Sequence, residues 1–346
     1  MAYTTINKSS DFFNTKLYTG NDSNSHAITG VGHQPDLIWI KSRSNATSHS
    51  LTDAVRGVGK NIKSDSSNAE FTNTNYVASF DSDGFTINND GDINGNNRTY
   101  ASWNWKANGA GSSNTDGATN TTVSVNTTAG FSIVKWTGTG NATTLGHGLN
   151  AVPKFWIIKN LEQAEDWRIY HHSLGNTKKL ELNNNEAEAS DISYWNNTSP
   201  TSSLMTVGSS NANNGGSRNM IAYCFAEKTG YSKFGSYVGN GSTDGTFVYT
   251  GFKPAFYLWK KSNGTSDWHI VDNKRDTGNE TDVNLSPNSN SAESIGNGYN
   301  GVDFLSNGIK VRRGNSDVNG SGLTYIYMAF AEAPLVGTNN VPCTAR

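Results

Sequence analysis

His171 and His172 stand near Glu162, Glu165 and Asp166, the densest group of titratable residues in the chain. Carboxylates beside a histidine can move protons or ligate a metal. The positions matched to His171 elsewhere are Asp53 and Asp272, with no histidine in either copy, so we expect a surface turn here. The segment DGDING, Asp90 to Gly95, opens like a calcium loop, in which oxygens at alternate positions converge on one cation. It departs from that pattern at its twelfth position, Ala101, where a bidentate carboxylate belongs. The matched segment SNANNG keeps fewer oxygens and NSDVNG more, and all three read as Asn-Gly hairpin turns. His33 and His147 precede prolines in glycine-rich turns, but TGFKP has no histidine, which argues against a shared ligand role. Glu70, Glu188 and Glu293 each follow an alanine. They suit capping of backbone N–H groups, with sugar ligation as the second reading. Cys224, matched by Asn104 and Ala329, reads as a small packed residue. No nucleophile elbow, phosphate loop or zinc signature occurs. The expectation is therefore no catalytic residue, no cofactor and no metal.

Aromatics carry the one binding candidate. Trp167 and Trp268 follow the loops LEQAED and SNGTSD and precede short alternating strands. That placement suits a core plug or a flat stacking platform for a sugar ring, and the two residues are the candidate glycan-stacking pair. The first copy has His49 at this position.

The elements that must hold these residues recur along the chain. With Pro35, Pro153 and Pro254 as origins, an aromatic two places ahead of a glycine (Tyr18, Trp136, Tyr237) lies seventeen residues before each, and His49, Trp167 or Trp268 fourteen after. An Ala-Glu pair follows, then an apolar strand (GFTI, LMTV, GIKV) and a closing segment (TYASWNWKA, NMIAYCFAE, TYIYMAFAE). We expect an all-β protein of three tandem repeated β-sandwich-like domains, with short loops and little helix. A single propeller of three wide blades is the architectural alternative. The boundaries are 1–110 for the first domain, 111–120 for a Gly/Ser/Thr/Asn linker, 121–230 for the second domain, and 231–346 for the third with a C-terminal tail. In TYIYMAFAE, Ile326, Met328 and Phe330 face one way and Tyr325, Tyr327 and Ala329 the other, so both faces are dry. The second must be covered by a neighbouring unit or another subunit, which motivates a homo-oligomer.

Composition sets the limits. Of 346 residues 34% are hydrophobic and 16% charged, while 36 are glycine, a mixture that favours strands joined by turns. A net charge of -2 gives no footprint for nucleic acid or anionic lipid. No run approaches the ~18 apolar residues of a membrane span, and MAYTTINKSS lacks the basic and apolar parts of a secretory leader. Cys224 and Cys343 alone cannot build a disulfide framework, and assembly in a reducing cytosol fits them.

Segments such as ITGVGHQPDLIWIKSRS, FDSDGFTINND, YSKFGSYVGNGSTDGTFVYTGFKPAFYLWKK and the ending VPCTAR resemble the repeat modules of virion structural proteins in marine tailed bacteriophages, including cyanophages and pelagiphages. The similarity spans essentially the whole chain. It implies a non-enzymatic virion component, assembled in the host cytoplasm, tail- or fibre-associated and used in host-surface adhesion or attachment to other virion proteins. It supplies no catalytic residue. Head decoration and a carbohydrate-binding module are the alternatives. Implied partners are other virion proteins, further copies of the chain and a host cell-surface glycan, without nucleic acid or membrane insertion.

Overall fold

The computed structural model describes residues 4–296, 301–334 and 336, so the expected C-terminal tail and Cys343 lie outside it. The described chain is all-β, built of antiparallel sheets with three one-turn α-helices and one 3-10 turn. In the first stretch, strand Thr99–Trp105 lies between Phe13–Thr19 and Leu37–Ser42, and Ser50–Asp53 completes the sheet. In the second, Asn219–Phe225 lies between Phe131–Thr137 and Phe155–Asn160, followed by Arg168–His171. In the third, Thr324–Ala333 lies between Ser232–Val238 and Lys253–Lys261, followed by Trp268–Asp272. β-Branched and aromatic residues at alternate positions suit such half-buried pleated surfaces. A smaller sheet accompanies each stretch: His26–Thr29 with Gly84–Ile87 and Val77–Asp81, then Thr143–Gly146 with Leu204–Val207, then Phe247–Tyr249 with Gly308–Val311 and Val302–Leu305.

The expected linker is part of a sheet. Ser112–Asn114 pairs with Thr121–Asn126, which in turn pairs with Phe131–Thr137, widening the second sheet to eight strands. Low apolar content at 111–120 marks an edge strand here, since an edge needs few buried side chains.

Both faces of each closing strand are covered from within the chain. One face of every main sheet enters a single shared cluster that joins Phe13, Trp39, Trp103 and Trp105 to Phe155, Tyr223 and Phe225 and to Phe234, Phe256, Met328 and Phe330. Trp105, Phe225 and Phe330, which hold matched places on the three closing strands, form a triangle with ring centroids 6.2, 5.9 and 6.0 Å apart. Each phenyl ring so buried contributes about 1.5–3 kcal/mol. The opposite faces enter three separate clusters. Tyr100 packs with Phe85 and Ile87, Met220 and Cys224 with Met205 and Trp195, and Tyr325 and Tyr327 with Ile309 and Val311. The dry second face of TYIYMAFAE thus lies against its own stretch's smaller sheet, and no second subunit is required to cover it.

The expected Asn-Gly hairpins take another form in all three stretches, and neither Asn319 nor Gly320 has the positive φ of a type I′ turn. Asn94 and Asn214 each end a one-turn helix, and Gly95 and Gly215 have φ of -56° and -54°, which a type I′ turn excludes. The asparagine side chains decide this. Buried Asn94 accepts from the Asn21 N–H through Oδ1 and donates to Ser23 O and Asn88 O; Asn214 likewise accepts from Thr139 N–H and donates to Asn141 O and Gly208 O. Asn319 repeats the pattern with Asn240 and Ser242. The approach is close enough that a Cβ on Gly20, Gly138 or Gly239 would sit 2.2–2.4 Å from the carbonyl oxygen of Gly95, Gly215 or Gly320. This is why glycine follows the aromatic in YTG, WTG and YVG.

Candidate functional site

Neither expected sugar platform faces solvent. Trp167 and Trp268 are both 0% exposed. Their neighbours are polar backbone atoms of the preceding stretch: Trp167 Nε1 donates to Lys63 O at 3.0 Å, and Trp268 Nε1 to Glu181 O at 2.7 Å. His49, also buried, accepts from Trp39 Nε1 at 2.8 Å and places Nε2 3.0 Å from Ser286 O. The glycan-stacking assignment is therefore corrected. An indole offers one donor on a large apolar body, and here both parts are used to pin one stretch to another.

Strand alternation turns other recurring residues toward the same seams. The backbone N–H of Glu70 donates to Leu161 O, that of Glu188 to Ser262 O, and that of Glu293 to Arg43 O, so each stretch grips the next and the third returns to the first. Asp53 Oδ2 accepts from the Tyr223 hydroxyl at 2.8 Å, and Asp272 Oδ2 from Trp103 Nε1 at 3.1 Å. Each aspartate is held by an arginine three residues on, Arg56 at 2.5 Å and Arg275 at 2.6 Å. Glu70 adds to the first pair; Glu293 adds to the second and also binds Arg43. The matched His171 lies 3.2 Å from Tyr327 O in the third stretch.

The His171–His172 group is not a surface turn and does not gather its carboxylates. His171 is fully buried, and His172 points to Phe234 O. Glu162 binds Asn219 at the start of the closing strand, and Asp166 accepts from Asn183. Burial holds His171 neutral, lowering its pKa to about 3, with His172 contributing. Asp90 caps the Asp92 N–H, while Asp92 binds Lys63 and the Tyr76 hydroxyl, so the carboxylates of DGDING are engaged within the chain. His33 lies 2.8 Å from Ser10 O and ties its turn to the N-terminal 3-10 turn, and His147 accepts from the Leu149 N–H and holds its own turn. Cys224 is buried 3.6 Å from Met205 Sδ, and burial pushes its thiol up.

Three buried lysines were not singled out in the sequence although they recur six residues after each proline. Lys41, Lys159 and Lys260 each place Nζ 2.7 Å from the next residue's carbonyl oxygen. Burial lowers all three to about 8. The recurring WIK, IIK and LWK endings were the available signal.

Several shallow cavities open on the described residues, and one of them holds buried polar side chains. A cavity of about 290 Å³ opens beside Trp268, lined among others by Asp267, His269, Asn284, Ser289, Ser291 and Asp317. Strand alternation turns His269 away from the shared core and onto Trp259, with ring centroids 4.9 Å apart. His269 is 6% exposed, and its ring nitrogens and Asn284 Oδ1 make no well-formed hydrogen bond, although the two side chains approach each other. Burial lowers the ring's pKa to about 4 against the opposing pull of Asp317 and Asp267, so it is neutral at pH 7. Among the described residues no cluster of three or more His, Cys, Asp or Glu side chains is arranged to hold a metal ion, and no helix is long and apolar enough to cross a membrane.

These features define an all-β chain whose three main sheets share one core and fasten to one another in a cycle. Residues 8–334 match the model of a domain of unknown function (DUF7483), and the chain belongs to that family. A comparison with curated proteins finds no match.

Proposed function

We propose that the protein is a non-enzymatic bacteriophage virion component, tail- or fibre-associated, that serves host-surface adhesion or attachment to other virion proteins. The observation that carries this reading is the use made of the recurring polar landmarks. Trp167, Trp268, Asp53, Asp272 and the Glu70, Glu188 and Glu293 backbone all bridge one stretch to another. Recurrence here serves mechanical closure, the demand placed on a rigid module mounted on a particle. The likeness of the quoted segments to virion modules supports the same reading. Because the chain covers both faces of its closing strands, a single copy is a sufficient folding unit, and the partners in this reading are other virion proteins and a host-surface glycan. Localisation by cryo-EM and mass spectrometry of gradient-purified particles tests it. The protein is expected at stoichiometric copy number on the tail; its absence from washed particles would overturn the reading.

A further inference from the structure

We propose that the cavity at His269 is a binding site for one uncharged pyranose unit, a site distinct from the two buried tryptophans. The inference rests on the adhesion reading for the source of the sugar, but its chemistry stands on the cavity itself. Three buried polar atoms, His269 Nδ1 and Nε2 and Asn284 Oδ1, line it without a well-formed hydrogen bond; the approach of Asn284 to His269 can engage one ring nitrogen, which leaves the other for a ligand. Such atoms require a hydrogen-bond partner, and a ligand entering the cavity can supply it in place of water. A neutral imidazole presents one donor and one acceptor, and a hydroxyl, which both gives and takes a hydrogen bond, matches whichever nitrogen is left. Asp267 and Asp317 add acceptor oxygens, each already fixed on one side by Asn288 or by Ser266. Ser289 donates to Ser291, leaving the Ser291 hydroxyl hydrogen to bond outward. No lysine or arginine lines the cavity, so a sulfate, phosphate or uronate would meet two carboxylates without a counter-charge. The volume is at the low end for small-molecule sites, which suits one ring rather than an extended chain.

Comparison with the other stretches shows that the opening is specific to the third. Opposite Ile158, at the place that His269 takes opposite Trp259, stands Arg168, paired with Glu181 and lying over the Tyr194 ring. The first stretch has the small Ser50 there. Neither of those positions combines a ring nitrogen left for a ligand with two carboxylates.

The test is titration of the full chain with methyl α-pyranosides of glucose, galactose and mannose and with methyl glucuronide, followed by saturation-transfer NMR and calorimetry. At least one neutral pyranoside is expected to bind saturably, with binding lost at least tenfold in His269→Phe and in Asp317→Asn, while methyl glucuronide binds at least tenfold more weakly. His269→Phe keeps the ring on Trp259 and is expected to keep or raise Tm, which separates loss of the site from loss of the fold. Silence with all three neutral sugars, equal binding of the glucuronide, or sugar binding indifferent to both substitutions would overturn the proposal and leave the cavity to water. Particles that carry a protein silent in these titrations would retain the virion reading without this site. A sugar-binding protein absent from particles would do the reverse.

Discussion

The first and third seams are centred on a buried aspartate–arginine pair and the second on a neutral histidine, its Glu188 pairing with Lys178. At the first, Arg56, Asp53 and Tyr223 meet with side chains almost wholly withdrawn from water; at the third, Arg275, Asp272, Glu293 and Trp103 do the same, and the Arg275 guanidinium lies 5.5 Å over the Trp103 ring. At the second, His171 and Leu174 take the places of the aspartate and arginine, and a histidine faces a backbone carbonyl. What all three keep is a polar atom reaching across to the next stretch. A buried carboxylate is one way to supply it, and His171 shows that a neutral ring can take that place. Buried ion pairs add little net stability over a well-packed neutral contact but are costly to break by halves.

The largest effect is expected where half of a buried aspartate–arginine pair is removed. Asp272→Ala strands Arg275 between Trp103 and Glu293 and should cost about 3–5 kcal/mol in chemical denaturation. Asp53→Ala should cost a similar amount, whereas His171→Asn, which replaces one neutral partner by another, should cost about 1 kcal/mol. Trp268→Ala sharpens the comparison from the packing side. It removes a core indole and its bond to Glu181 O and should cost about 3–5 kcal/mol, with no accompanying change in sugar binding beyond that caused by unfolding.

A smaller effect separates the seams by pH. The folded pKa of His171 is depressed to about 3 from the ordinary 6.5 by burial, so between those values the unfolded chain binds the extra proton. Stability is present above pH 6.5 and is lost as pH falls toward 3. The midpoint of urea unfolding followed from pH 7 to pH 4 should therefore decline less steeply in His171→Asn than in the parent. A second pH effect, in the alkaline range, comes from Lys41, Lys159 and Lys260. Their folded pKa of about 8 lies below the unfolded 10.5, so from pH 8 upward the unfolded state holds more protons and stability rises with pH. Buried tyrosines such as Tyr231, whose pKa burial raises, reverse that trend above pH 10. Replacing the three lysines together by methionine should remove the rise between pH 8 and pH 9.5 in the same assay.

Strand periodicity made the all-β class and the dryness of both faces of TYIYMAFAE legible in the sequence. Alternation reports that a face is dry but not what dries it. The choice between another subunit and the chain's own smaller sheet rests on pairings such as Val248 with Ile309, which no local pattern states. Trp167 and Trp268 were legible as important and ambiguous as to role, because a core plug and a stacking platform demand the same residue type. The partners that decide it, Lys63 O and Glu181 O, lie 104 and 87 residues away. Asp53 and Asp272 had no local signature either, since Tyr223 and Trp103 stand 170 and 169 residues from them. The Asn-Gly reading failed for a different reason: the side-chain bonds of Asn94 to a turn more than 70 residues distant outweigh the preference of its own dipeptide.

The account's central claim is that the three stretches share one interior, closed by Trp105, Phe225 and Phe330, and so stand or fall together. Differential scanning calorimetry of the full chain tests it most directly. One transition is predicted, with a van't Hoff enthalpy equal to the calorimetric enthalpy. Three transitions, or a van't Hoff enthalpy of about a third of the calorimetric value, would show three bodies that melt independently and would contradict it.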